Sequence, residues 1–170
     1  MKRISFEQLN INPITAIRND WMLITAGNAD SFNTMTASWG HIGSLWGSNG
    51  GNPTTTIFIR PQRYTKEFVD REDVYTLCFF PDGFKKQLAY LGTVSGRDED
   101  KVAKMGLTPV FEDGYTYFKE ASLVLCCRKL YHAPIAEEGF VDPSIVEENY
   151  PDRDFHEMYV GKIEKILIAD

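Results

Sequence analysis

The apolar positions of this chain fall in short β-rich runs separated by turn residues. Residues 21–26 form the first clear run, and Gly27, Asn28, Ala29 and Asp30 behind it carry turn chemistry. Residues 34–39 leave that turn as a second strand, so the pair predicts a hairpin whose second strand ends at Gly40 in a stretch rich in Gly and Trp. Residues 47–53 predict a mobile loop, and residues 54–59 resume a β-branched strand ending at Arg60 and Arg63. Helical spacing over residues 64–71 puts Phe68 and Val69 on the buried side, and residues 74–80 return as a strand.

A helix over residues 84–90 and a shorter one over 98–105 follow, the second bounded by Ser95-Gly96 before it and Gly106 after it. Residues 110–112, 115–119 and 122–131 predict strands, with Asp113-Gly114 as a hairpin turn. The polar, Pro-containing stretch 133–154 predicts a loop or lid, and residues 157–168 close the chain as a strand. The pattern gives about seven strands and three short helices with mostly antiparallel connections, most simply packed as a small barrel with helices inserted between strands.

Composition narrows the function. The chain has 170 residues, 43% of them hydrophobic, which predicts one globular domain spanning residues 1–170 with its own core. A net charge of −6 disfavours nucleic acid as the main partner, because phosphate binding needs a concentrated basic footprint. It leaves room for a small phosphorylated ligand. The apolar runs are far shorter than the ~20 residues that span a bilayer, so no membrane partner is expected. Three cysteines, Cys78, Cys126 and Cys127, fit a reducing cytoplasm better than a disulfide framework, and buried strand thiols are their default reading.

Three segments carry candidate chemistry. In the first, Asn33, Thr34, Met35, Thr36, Ala37, Ser38, Trp39 and Gly40 put small and hydroxylated residues at a strand end beside an aromatic ring. A planar ligand could approach the backbone there and stack on Trp39; the same residues also read as a tight barrel strand with Trp39 in the core. In the second, Arg60, Arg63, Tyr64 and Thr65 lead from a strand into a helix, which makes an anion cradle or a solvated loop whose Thr65 serves the local backbone. In the third, Ser95 or Asp98 could cap the coming helix, Gly96 permits a tight turn, and Lys101 could add charge near a phosphate. Neither GxGxxG nor GxxxxGK[ST] occurs, and His41, His132 and His156 are far apart without zinc-like cysteine pairs.

Taken in order, these segments and the late His156-Glu157-Met158-Tyr159-Val160-Gly161 resemble the flavin reductase-like, FMN-binding split-barrel family, in particular its flavoredoxin-like branch. The resemblance runs from about residue 33 to residue 161 and implies a mainly β fold with short helices, a six-stranded Greek-key split β-barrel. It implies Thr36, Ala37, Ser38 and Trp39 along a flavin ring, Arg63, Tyr64 and Thr65 near its phosphate, Ser95, Gly96 and Lys101 on the phosphate side, and His156 near the flavin or nicotinamide. His156 is the one catalytic candidate, and it also reads as an exposed loop histidine. Lys162 stands where the family often carries an acidic residue after the glycine, so no role is assigned there.

The expected protein is a cytoplasmic flavoprotein that binds FMN, with FAD as the other flavin the family uses. NAD(P)H is its reductant, and free flavin or a protein is its electron acceptor. The expected assembly is a homodimer with flavin near the interface. The alternatives are a non-catalytic flavin-binding or electron-carrier protein, and a split barrel that binds another small molecule.

Overall fold

The computed structural model describes residues 1–48 and 50–170. In chain order the elements are β1 (Lys2–Ile4), α1 (Pro13–Thr15), which runs into a π-helical turn over Ala16–Asp20, then β2 (Met22–Gly27), β3 (Phe32–Ala37), β4 (Gly40–Leu45) and β5 (Asn52–Ile59). They continue with α2 (Tyr64–Arg71), β6 (Val74–Phe79), α3 (Lys85–Thr93), α4 (Lys101–Lys104), β7 (Pro109–Glu112) and β8 (Tyr115–Phe118). The last are β9 (Leu123–Pro134), α5 (Ser144–Asn149) and β10 (Glu157–Ile168).

Seven strands are hydrogen-bonded in the order β3-β2-β6-β9-β10-β5-β4, with β1 paired to the far half of β10 and β7-β8 as a separate hairpin. All the pairings are antiparallel. β3 and β4 stand at opposite ends of this order, yet only Ser38 and Trp39 join them. In a flat sheet six strand spacings would separate them by about 29 Å, whereas three Cα steps reach at most about 11 Å. The sheet is therefore rolled into a barrel, and its seam runs through residues 37–40.

Strand alternation buries both faces of the rolled sheet. Met22, Ile24, Leu77, Leu125 and Cys127 belong to one apolar cluster, which also takes Phe68 and Val69 of α2. Their neighbours Leu23, Cys78, Val124 and Cys126 belong to a second, with Leu88 and Leu91 of α3, Val102 of α4 and Phe118 of β8. The adjacent Cys126 and Cys127 thus point to opposite faces, and all three thiols are free and buried. Burial pushes Cys78 and Cys126 up to about 12 and raises Cys127 as well, so none is a ready thiolate.

The mainly β split barrel agrees with the sequence reading, but the sheet is larger than the six strands expected. β1 and β4 went unforeseen: β1 is three residues long, and β4 (Gly40–Leu45) carries two glycines in the stretch read as the end of a strand. The helix expected over residues 98–105 forms only from Lys101, because Asp100, not Ser95 or Asp98, is the cap, its carboxylate accepting from the Ala103 N–H at 3.0 Å. The helix expected over residues 84–90 runs from Lys85 to Thr93, and the stretch 133–154 contains α5. Of the loop expected over residues 47–53, Asn49 lies outside the described residues, and β5 already begins at Asn52. Among the described residues no helix is long and apolar enough to cross a membrane, and no group of three or more His, Cys, Asp or Glu is placed to hold a metal ion.

Candidate functional site

The barrel seam supplies one half of a cleft. Ala37 is the last ladder residue of β3, opposite Met22, and Gly40 is the first of β4, opposite Ile57. Ser38 and Trp39 lie between the two ladders, so their main-chain groups are not committed to strand pairing. A cavity of about 160 Å³ opens here, lined by Thr36, Ala37, Ser38, Trp39, Phe58 and His156, and reaching Met35, Arg60 and Arg63. Trp39 is 45% exposed, so it is not a core residue, and its ring lies 5.0 Å from the imidazole of His156.

The other half lies at the start of α2. A second cavity, of about 300 Å³, is lined by Arg63, Tyr64, Thr65, Ser95, Gly96 and Lys101, with Asn33, Met35 and Gln62 beside them. Met35 and Arg63 line both cavities, so the two form one continuous path from the seam to the helix start. All eleven residues that the family resemblance implied for the site border this path.

Individual roles divide. The Arg63 Nη1 donates to the Gly92 carbonyl at 2.8 Å, which fixes the guanidinium while leaving other N–H groups free of protein partners among the described residues. No side chain caps α2; the Lys66 N–H turns back to the Arg63 carbonyl at 3.0 Å, which leaves the N–H groups of Tyr64 and Thr65 open beside Arg63. The Thr65 hydroxyl does not serve its own helix end. It accepts from Asn33 Nδ2 at 2.8 Å and is buried. Ser95 accepts from the Arg97 N–H, a bond within its own turn.

Two candidates are already partly committed. Thr36 donates its hydroxyl proton to the Leu88 carbonyl, and a Cβ at Gly92 would lie 3.1 Å from its own Cβ, so its side chain seats α3 on β3 and only its backbone faces a ligand. Lys101 is buried and donates to the carbonyls of Leu91 and Val94 at 2.8 and 2.9 Å, closing the C-terminal end of α3. Burial, with Arg63 nearby, lowers its pKa to about 8.

Arg60, a candidate anion ligand by sequence, is occupied instead. Its guanidinium grips both carboxylate oxygens of Asp154 at 2.5 and 2.6 Å and the Asn149 carbonyl at 2.7 Å. His156 is 9% exposed rather than an open loop residue. Burial and the positive charges of Arg60 and Arg63 bring its pKa down to about 4, against a smaller opposing effect of Asp154. It is neutral near pH 7.

Sequence reasoning singled out the segment that holds Asn33 and Met35 without giving either a role, and it missed Phe58 and Tyr150. Asn33 and Met35 have a signal in hindsight, since their side chains share the strand face of Ala37, which borders the cavity. Tyr150, in the presumed lid, has none. Trp39 also borders a cavity of about 740 Å³, lined by Ile14, Ile17, Arg18, His41, Phe58 and Ile135.

The donor set suits a flat, partly polar ring carrying one terminal phosphate. An open backbone edge and an aromatic face lie at one end, and a guanidinium with an uncapped helix start lies at the other. FMN has these two parts.

Comparison with known proteins points the same way. A family model described as a flavin reductase like domain matches residues 16–170. A flavoredoxin from Methanosarcina acetivorans superposes with a TM-score of 0.66 at 20% identity, covering 96% of this chain and 76% of that one. The flavoredoxin of Desulfovibrio vulgaris (Miyazaki F) gives 0.66 at 19% identity, with 100% and 78% covered. An FMN-binding domain of a flavin reductases-like enzyme from Shewanella baltica gives 0.63 at 15% identity, with 92% and 74% covered. At these identities the likeness is one of fold. No curated protein sequence matches the chain.

Proposed function

The chain belongs to the flavin reductase like domain family, and from that premise we propose that it binds FMN and passes reducing equivalents from NAD(P)H to free flavin or to a protein acceptor. The observation that carries this reading is the continuous path from the seam at Trp39 to the open start of α2, joined through Met35 and Arg63. The main-chain groups of residues 37–39 would pair with the polar edge of the ring, and Arg63 with the first turn of α2 would hold the phosphate. Ser95 and Gly96 would close that end. Lys101 would act mainly by holding the last turn of α3 in place, its third proton being the one left for a ligand.

When bound, FMN supplies the redox chemistry. The protein's part is to orient the ring against Trp39, exclude water from the seam, and offer a neutral imidazole at His156. The 740 Å³ cavity shares Ser38, Trp39 and Phe58 with the ring cavity, which gives a hydride donor or an electron acceptor a way in. FMN is favoured over FAD because the donors gather at one phosphate and no dinucleotide fingerprint is present. We place the protein in the cytoplasm as a homodimer, the partner covering part of the apolar surface at Ile14 and Trp39, which are 72% and 45% exposed.

The deciding experiment is to purify the protein, record its visible spectrum, and identify any released flavin by mass. NAD(P)H consumption is then followed with and without added flavin. Bound FMN with NAD(P)H turnover supports the reading. Bound FMN without turnover makes the protein an electron carrier, and no affinity for any flavin sinks the proposal. Sedimentation of the loaded protein tests the dimer, which a monomeric mass at micromolar concentration would exclude.

A further inference from the structure

The stretch 135–156 is a strap tied down at both ends. Its base is closed by the Glu157 to Pro134 pairing of β10 with β9 and by the Ile135 N–H donating to the His156 carbonyl at 2.9 Å. Arg60, just past the end of β5, grips the strap at Asp154 and Asn149. Inside it, Phe140, Tyr150 and Phe155 pack with ring centroids 4.8 to 5.9 Å apart, and the Arg60 guanidinium lies 5.1 Å from the Tyr150 ring. Tyr150 is 3% exposed. Its hydroxyl lies 2.9 Å from His156 Nδ1, and the two rings meet edge to face.

We propose that Tyr150 is a positioning residue for the redox site: its phenol O–H holds the His156 imidazole as the Nε2–H tautomer and presents that N–H to the cavity beside Trp39. The proposal rests on the flavin reading for what the N–H would meet, an electron-rich ring or the carboxamide of a nicotinamide. The tautomer follows from proton accounting. His156 is neutral, so its ring carries one N–H. Burial and Asp154 raise the pKa of Tyr150, against Arg60 and the His156 backbone N–H, so the phenol keeps its proton. The phenol proton has no other acceptor among the described residues. It therefore goes to Nδ1, which leaves the imidazole proton on Nε2. Nε2 has no protein partner among the described residues and is not sealed from solvent, while His156 lines the ring cavity. The groups acting on this pair, Arg60, Arg63 and Asp154, are fixed or shared with the site, so the tautomer should not vary through the neutral pH range.

The test is nitrogen-15 NMR of the His156 imidazole in the full-length protein, with Tyr150→Phe as the probe. The wild-type ring is expected to show an unprotonated Nδ1 and a protonated Nε2, unchanged from pH 5.5 to 8. Tyr150→Phe keeps the aromatic packing and removes the O–H. Its imidazole should titrate closer to the ordinary value near 6.5, and kcat should fall roughly tenfold, on the scale of one hydrogen bond, with little change in KM for FMN. In a His156→Gln background, Tyr150→Phe should cost nothing further. A wild-type Nδ1–H tautomer would overturn the proposal, whether or not the variant folds. So would an unchanged titration in the variant, or a loss of turnover that persists in the His156→Gln background. Protein that shows the Nε2–H tautomer but takes up no flavin would instead defeat the flavin reading and leave the hold of Tyr150 on His156 standing.

Discussion

Gly96 and Asn33 meet so closely that a Cβ at position 96 would lie 2.2 Å from Asn33 Oδ1. The φ of Gly96 lies outside the left-handed region, so the glycine is there for room. The contact ties the turn before α4 to β3, and Asn33 in turn donates to Thr65 at the start of α2. Three separated segments of the sequence thus converge on one amide side chain. Gly96→Ala should displace Asn33, break its bond to Thr65, and destabilise the fold by about 1 to 3 kcal/mol. Urea denaturation measures this, and a variant within error of wild type would show that the turn relaxes freely.

Arg63→Ala separates the phosphate from the ring. One charge-assisted hydrogen bond contributes about 1.5 to 3 kcal/mol, so affinity for FMN should fall roughly 10- to 100-fold. Riboflavin, which has no phosphate, should lose little. Arg63 also donates to the Gly92 carbonyl, so the comparison of the two ligands, and not the FMN loss alone, carries the assignment. Equal weakening of both would place the phosphate elsewhere.

Much of this site was legible because its residue types are unusual for their places. Small residues and a tryptophan at a strand end, and an arginine just before a helix with no cap, are each weak signals, and the fold brings them to one path. What stayed hidden depends on distance in sequence. Arg60 looked like an anion ligand because Asp154, which neutralises it, lies 94 residues away. Lys101 looked free because its acceptors are main-chain carbonyls at the end of α3, which no side-chain pattern announces. β4 was missed because Gly40 and Gly43 weaken the strand signal, although pairing with β5 overrides it. Gly161, part of the late motif, is explained by packing alone, since a Cβ there would lie 2.4 Å from the Tyr75 hydroxyl.

His156 makes stability depend on acidity. Its pKa is about 4 folded against about 6.5 unfolded, so between those values the unfolded chain binds more protons. The contribution of His156 should be flat above pH 6.5 and fall as the pH drops from there toward 4, by up to about 3 kcal/mol. Carboxylates held low by partners, such as Asp154 with Arg60, add their loss only at lower pH. His156→Gln should remove the part of the slope that lies between pH 6.5 and 4.5. Denaturation curves across that range check it, and an unchanged slope in the variant would mean that the imidazole already titrates normally.

Ala37→Pro tests whether the ring lies along the seam. Ala37 is the last residue of β3, which pairs only with β2 in the strand order, so a proline there costs at most one ladder bond and the barrel should survive. The substitution removes the Ala37 N–H and restricts the backbone leading into Ser38 and Trp39, which line the cavity and lie outside the strand pairing. Flavin content should drop to background while the circular dichroism stays that of the wild type. Ser38→Ala, which leaves the backbone in place, should keep nearly full flavin occupancy and serves as the control. A folded Ala37→Pro protein with full occupancy and an unshifted flavin spectrum would show that the ring does not use this edge, which would leave the 740 Å³ cavity that Trp39 also borders as its place.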